Sequence, residues 1–264
     1  MPFTLLPCGP IEYERFDIPH AAGPTVVMLH EGLGSVSMWK DFPALLAEST
    51  GCAVIAYSRL GHGRSARLRQ PRNTRYMHDE ALVCLPQFLD RLGIENPVLF
   101  GHSDGGSIAL IHAAQSGRSV TGVVTLAPHV MVEDISVTGI EAAKQAYETT
   151  NLREKLARYH DDVDGVFWGW NDIWLHPDFR SWNIEADLPR IAYPILAIQG
   201  HEDEYGSMEQ IERIARAAPK VELLQLAQCR HSPHRDQPQA VLSAVAAWMG
   251  HLQARAKAQL SARP

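Results

Sequence analysis

One serine in the chain stands where a nucleophile would. The stretch Val98-Leu99-Phe100-Gly101-His102-Ser103-Asp104-Gly105-Gly106-Ser107-Ile108 sets Ser103 in a Gly-x-Ser-x-Gly frame. An apolar run precedes it, and an apolar, small-residue run with Ile108, Ala109, Ile111 and Ala113 follows. The pattern predicts a strand, a tight turn and a buried helix, the context in which this frame presents a serine for attack. The flanking glycines have a steric reason: a Cβ on either would collide with the neighbouring strand or helix. The turn lifts the hydroxyl clear of the sheet and aims the first N–H groups of the helix at an oxyanion beside it. Downstream come a run of acids, Glu202-Asp203-Glu204, and then two histidines, His231 and His234. Serine, then carboxylate, then histidine is the chain order of one well-defined nucleophile–orienter–base arrangement.

Such groups need a rigid scaffold. Apolar runs at Thr25–Leu29, Cys52–Tyr57, Val98–Phe100, Thr121–Leu126, Tyr193–Gln199 and Val221–Leu226 read as strands, Thr25–Leu29 buried on both faces and Cys52–Tyr57 and Thr121–Leu126 buried as well. Ile11 to Ile18 alternates in polarity and reads as an early edge strand. His78 to Leu92, Met208 to Ala217 and Gln237 to Leu260 have helical spacing, and the last residues read as frayed. Between Asp134 and Leu188 no strand pattern appears. The segment reads as helices at Ile140–Thr149, Asn151–His160 and Val163–Trp170. It holds four of the six tryptophans, and eleven acidic against five basic residues.

Composition limits the field. The chain has 264 residues, 45% hydrophobic and 20% charged, with formal net charge −6, which suits one large globular α/β domain and argues against a nucleic-acid surface. No apolar run approaches the roughly 18 residues that cross a bilayer. The N-terminus lacks a basic start and a long apolar stretch, and the four cysteines are scattered without a C-x-x-C pair. These features point to a reduced, cytoplasmic setting with no membrane partner. The apolar content is compatible with a homodimer without demonstrating one.

By Gly101-x-Ser103-x-Gly105, Asp203 and His231 in that order, the chain resembles the α/β-hydrolase superfamily in its lidded serine-esterase branch, over about residues 10 to 250. The resemblance implies an α/β-hydrolase fold, a mostly parallel sheet flanked by helices, with a helical lid inserted after the sixth strand. Residues 1–133 and 189–264 would form the core and 134–188 the lid. It selects Asp203 among the three acids, in a Gly-x-x-Asp arrangement past a strand end. It selects His231 as the base, with Arg230 replacing the usual glycine, and leaves His234 as a pocket-wall or structural residue. The loop His30-Glu31-Gly32-Leu33 would give one oxyanion-hole N–H, from Gly32 or alternatively Leu33, and Asp104 would give the other. His30 would brace that loop, and Arg59 would support the turn after the next strand. Glu31 stands where many members carry glycine, as a solvated loop acid or a substrate contact. The Asp104 carboxylate would cap its helix, or select a cationic or hydroxylated substrate. Trp168, Trp170 and Trp174 are the candidate pocket aromatics.

The implied chemistry is that of a serine hydrolase cleaving a carboxylic ester, or a related acyl bond, of a small apolar or aromatic substrate. Neither metal nor organic cofactor is required, because the serine elbow makes an H-x-x-H metal reading of His231 and His234 unnecessary. A C–C hydrolase of aromatic ring-fission products, a thioesterase and a non-catalytic small-molecule binder are the alternatives. A serine at position 103 argues against the dehalogenase and epoxide hydrolase branches, which use aspartate there.

Overall fold

The computed structural model describes residues 1–21 and 23–261. Eight strands form one sheet: β1 (Phe3–Leu6), β2 (Gly9–Phe16), β3 (Val26–Leu29), β4 (Val54–Tyr57), β5 (Val98–His102), β6 (Gly122–Leu126), β7 (Ile195–Gly200) and β8 (Val221–Leu226), in the spatial order β1-β2-β4-β3-β5-β6-β7-β8. The pairs β1–β2 and β2–β4 are antiparallel, and all the others are parallel. The apolar runs explain this: strands covered by helices on both faces have no solvent side and need no polar alternation.

Helices cover both faces. Side chains of one parity, among them Val26, Met28, Val54, Ala56 and Phe100, pack with Trp39, Phe42, Leu46, Val241 and Trp248. Here α1 (Phe42–Thr50) and, near the chain end, the helix Pro238–Ser261 lie on the sheet. The opposite parity, Val27, Leu29, Ile55, Tyr57 and Leu99, packs with Phe88, Ile108, Ile111 and Ile214. This larger core continues without a break into residues 134–188, through Ile140, Phe167, Trp174 and Phe179.

Several boundaries differ from those read in the sequence. The edge of the sheet is β1, a four-residue strand alternating exposed and buried that no expectation covered, and β2 is its inner partner. The helix expected over His78–Leu92 is α2 (Tyr76–Asp79), a π turn (Glu80–Cys84) and α3 (Leu85–Leu92). Pro86 has no N–H for the residue one turn back and would clash there, so the wider turn absorbs it. After β5 comes α4 (Asp104–Gln115), then α5 (Asp134–Thr149), α6 (Leu152–Leu156) and α7 (Val163–Trp174). Of these, α6 is half as long as expected and stops before His160, whose ring is engaged elsewhere. The expected frayed end falls on residues 262–264, outside the described residues.

The junction of β3, β5 and α4 is the tightest point of the fold. A Cβ on Gly105 would lie 2.0 Å from the Leu29 carbonyl oxygen, and one on Gly101 would lie 2.2 Å from that of Gly105. Both neighbours are backbone and cannot swing aside. Gly105→Ala should therefore destabilise the fold on the order of 3–5 kcal/mol. Gly250 sits in a helix with nothing within 4 Å of a Cβ, so Gly250→Ala should gain about 0.5–1 kcal/mol. Denaturant unfolding of the two variants against wild type checks both signs.

Candidate active site

Ser103 closes β5 and opens α4 with φ 53° and ψ −119°, a strained combination for a residue with a Cβ. Its Oγ lies 3.0 Å from Nε2 of His231, whose Nδ1 lies 2.8 and 3.0 Å from the two oxygens of Asp203. Asp203 is fixed in turn. Gln199 donates to Oδ2 at 2.7 Å, and the N–H groups of Tyr205 and Gly206 donate to Oδ1 at 2.8 and 3.3 Å. Burial pushes the Asp203 carboxyl up, but His231 and the Tyr205 N–H outweigh it and hold it below its ordinary range. An ionised Asp203 takes the Nδ1 proton of His231, which leaves a lone pair on Nε2 for the serine hydroxyl. Burial alone would lower His231; the Asp203 charge reverses the sign and raises it.

The loop after β3 is pinned by its carbonyl groups. Glu31 C=O accepts from Arg59 Nη2 at 2.8 Å and from His30 Nδ1 at 2.7 Å. Gly32 C=O accepts from His62 Nε2 at 3.0 Å, and Leu33 C=O from His160 Nε2 at 2.9 Å. Two of these imidazoles are held in one tautomer at the other nitrogen: His30 Nε2 accepts from the Arg59 N–H, and His160 Nδ1 from the Gly63 N–H. Burial first, and Arg59 for His30 or Arg72 for His62, lowers these rings, and burial lowers His160. All three are neutral donors. A trans peptide points its C=O and N–H in opposite directions, so the bond to Arg59 turns the Gly32 N–H away from Arg59. Gly32 and Leu33 both line the cavity in front of Ser103. Neither N–H donates to an acceptor among the described residues. As the first residue of α4, Asp104 has an N–H without a carbonyl one turn back.

The cavity measures about 190 Å³. Leu33, Ile140, Leu156, Trp170 and Trp174 give it apolar walls; Glu31, His102, Ser136 and Ser232 are among its polar lining. Of the expected pocket residues, Glu31, Trp170 and Trp174 are therefore in place and two are not. Trp168 faces a separate cleft of about 370 Å³ beside Leu68, Pro71 and Arg72. Residues 170 and 174 share one face of α7, whereas 168 points away from 170 by roughly 200°. His234 is 4% exposed and packs under the site on Trp39, Phe42 and His102, with ring centroids 4.8, 5.5 and 4.9 Å away. The Asp104 carboxylate neither caps a helix nor reaches the cavity. It is fully buried, accepts from the Tyr76 hydroxyl at 2.8 Å and lies 3.6 Å from Arg59 Nη2. That hydroxyl accepts in turn from Trp174 Nε1 at 3.1 Å.

Sequence reasoning missed His62 and His160 as loop anchors, and His129 and Tyr205 as cavity walls. His129 is 3% exposed, and burial, with the adjacent His231, pushes it down to about 4. No local spacing signals them, because the bonds of His160 span 97 and 127 residues. Among the described residues, no cluster of three or more His, Cys, Asp or Glu could hold a metal ion, and no helix is long and apolar enough to cross a membrane.

Comparison with known proteins bears on the family and the fold. The model of the family described as "Alpha/beta hydrolase family" matches residues 26–244. The sn-1-specific diacylglycerol lipase of Xenopus laevis is 23% identical over 89% of this chain and 82% of its own. A putative carbamate hydrolase of Pseudomonas savastanoi pv. phaseolicola is 29% identical over 83% and 91%. The crystal structure of a proline iminopeptidase from Mycobacterium smegmatis superposes with TM-score 0.77 at 18% identity, covering 97% of this chain and all of that one, a likeness of fold alone.

Two measurements follow from the geometry. NMR titration of His231 should give a pKa above the ordinary value of about 6.5 in wild type, and below it in Asp203→Asn, where burial acts without the counter-charge. Arg59→Met should leave Asp104 as a buried, unpaired charge and cost about 3–5 kcal/mol in denaturant unfolding.

Proposed function

Because the chain belongs to the alpha/beta hydrolase family, we propose that it is a serine hydrolase that cleaves a carboxylic ester of a small substrate with an apolar acyl group. The observation that carries this reading is the Ser103–His231–Asp203 relay, 3.0 and 2.8 Å link to link, beside a largely apolar cavity. In this reading Ser103 attacks the carbonyl carbon while His231 takes its proton, and Asp203 stabilises the imidazolium. The N–H groups of Gly32, with Leu33 as the alternative, and Asp104 hold the oxyanion. His231 then gives the proton to the leaving alcohol. Water, activated by the same imidazole, releases the acyl group from Ser103. Residues 134–188 act as the lid, supplying Ile140, Leu156, Trp170 and Trp174 to the acyl pocket.

The names of the lipase and the carbamate hydrolase support acyl transfer as the class of reaction. An ionised Glu31 in the cavity disfavours ring-fission acids, whose own carboxylate it would repel, and so favours the ester over the C–C bond.

Hydrolysis of p-nitrophenyl acetate, butyrate and decanoate by wild type and Ser103→Ala tests the proposal. Wild type should turn over the short esters faster than decanoate, and the variant should lose about 10³-fold or more. Equal rates in the two proteins would remove Ser103 from the chemistry.

A further inference from the structure

The Ser103 cavity holds a charge that the protein does not answer with hydrogen bonds. Glu31 lines this cavity with a side chain 17% exposed. Burial pushes its carboxyl up, but His102 and Arg235 outweigh burial and keep it ionised, well below the ordinary range. Its carboxylate oxygens nevertheless accept no hydrogen bond from any described residue. The nearest basic nitrogens are His102 Nδ1 at 3.4 Å and Arg235 Nη2 at 3.7 Å. His102 donates its Nε2–H to the carbonyl of His231 at 2.7 Å, and its Nδ1 makes no hydrogen bond to a described residue. Arg235 is 43% exposed and reaches in from solvent. A carboxylate offers about four acceptor positions, and here a donor from solvent or from a ligand must fill them.

The direction of the reaction fixes which part of a substrate meets this group. His231 and Glu31 both border His102, and His231 hands its proton to the leaving group. We therefore place the leaving group on the side of the cavity where Glu31 stands, and the acyl chain against Ile140, Leu156, Trp170 and Trp174. Resting on the ester-hydrolase reading above, we infer that Glu31 selects esters whose leaving alcohol carries a cation, an ammonium in particular. Asp104 cannot share this role, since Tyr76 and Arg59 already answer its charge away from the cavity. The charge balance of residues 134–188, eleven acidic against five basic, acts in the same direction, because it draws cations toward the segment that walls the cavity.

The test compares three butyrate esters that share an acyl group: those of choline, of its neutral isostere 3,3-dimethylbutanol, and of 3-hydroxypropanoate. Acid release at fixed pH gives kcat/KM for each with wild type, Glu31→Gln and Glu31→Lys. Wild type should prefer the choline ester over the neutral isostere by about tenfold or more, with the anionic ester last and the preference shrinking as salt is added. The ratio should fall to near one in Glu31→Gln and invert toward the anionic ester in Glu31→Lys. A wild-type ratio near one, or a ratio kept in Glu31→Gln, overturns the inference and leaves ester hydrolysis standing. If none of the three is hydrolysed, the ester reading fails instead. Calorimetric titration of choline against 3,3-dimethylbutanol then decides: tighter choline binding that Glu31→Gln abolishes supports the selection, and equal or absent binding overturns it.

Discussion

A guanidinium only 2% exposed must have its charge answered inside the protein. Arg59 meets that constraint with two groups at once. Its Nη2 donates to the Glu31 carbonyl and lies 3.6 Å from the Asp104 carboxylate. The first belongs to the peptide that carries the Gly32 N–H; the second belongs to the residue after Ser103. Two loops separated by about seventy positions in the chain thus share one counter-charge, and neither can shift without exposing the other's burial cost. Such a pair adds little net stability compared with apolar packing, but it restricts where its partners can be. Here the restriction falls on the backbone around the nucleophile.

The same economy of parts extends into residues 134–188. His160 donates to Leu33 C=O while accepting from Gly63, and Trp174 reaches Asp104 through the Tyr76 hydroxyl. Both ends of the loop-and-elbow arrangement are therefore bonded to the segment that also walls the cavity. Around it the imidazoles of His30, His62 and His160 stay neutral because burial disfavours a second proton. A neutral ring with one nitrogen accepting and the other donating is a directional strut, and His30 and His160 hold the loop in this way.

How much of this was legible depends on distance along the chain. The elbow is local: five residues carry its sterics, so Ser103 and the parallel sheet around it could be read directly. Asp203 and His231 stand at fixed offsets from strand ends, so motif position located them and the geometry brings them together. The Asp104 carboxylate was misjudged because its partners, Tyr76 and Arg59, lie 28 and 45 positions away and no spacing announces them. For His234 the sequence leaves a pocket-wall and a structural role open, and a short turn begun by Pro233 sends its ring under the site, which is the structural one. Aromatic density suggested the tryptophans without saying which face of α7 each occupies. Strand β1 was too short for its alternation to stand out, and Pro86 hid inside an otherwise helical pattern.

The bond between His160 and Leu33 also bears on how this architecture can diversify. An inserted segment is often treated as a module that can be exchanged to change a pocket while the machinery below stays constant. In this chain the segment contributes a hydrogen bond to the backbone beside Ser103, so machinery and module overlap at one imidazole. A foreign segment of the same length would bring new walls and would leave the Leu33 carbonyl without its donor. Exchange of substrate range by wholesale replacement is thereby penalised. Change residue by residue, with His160 retained, is the route the structure leaves open.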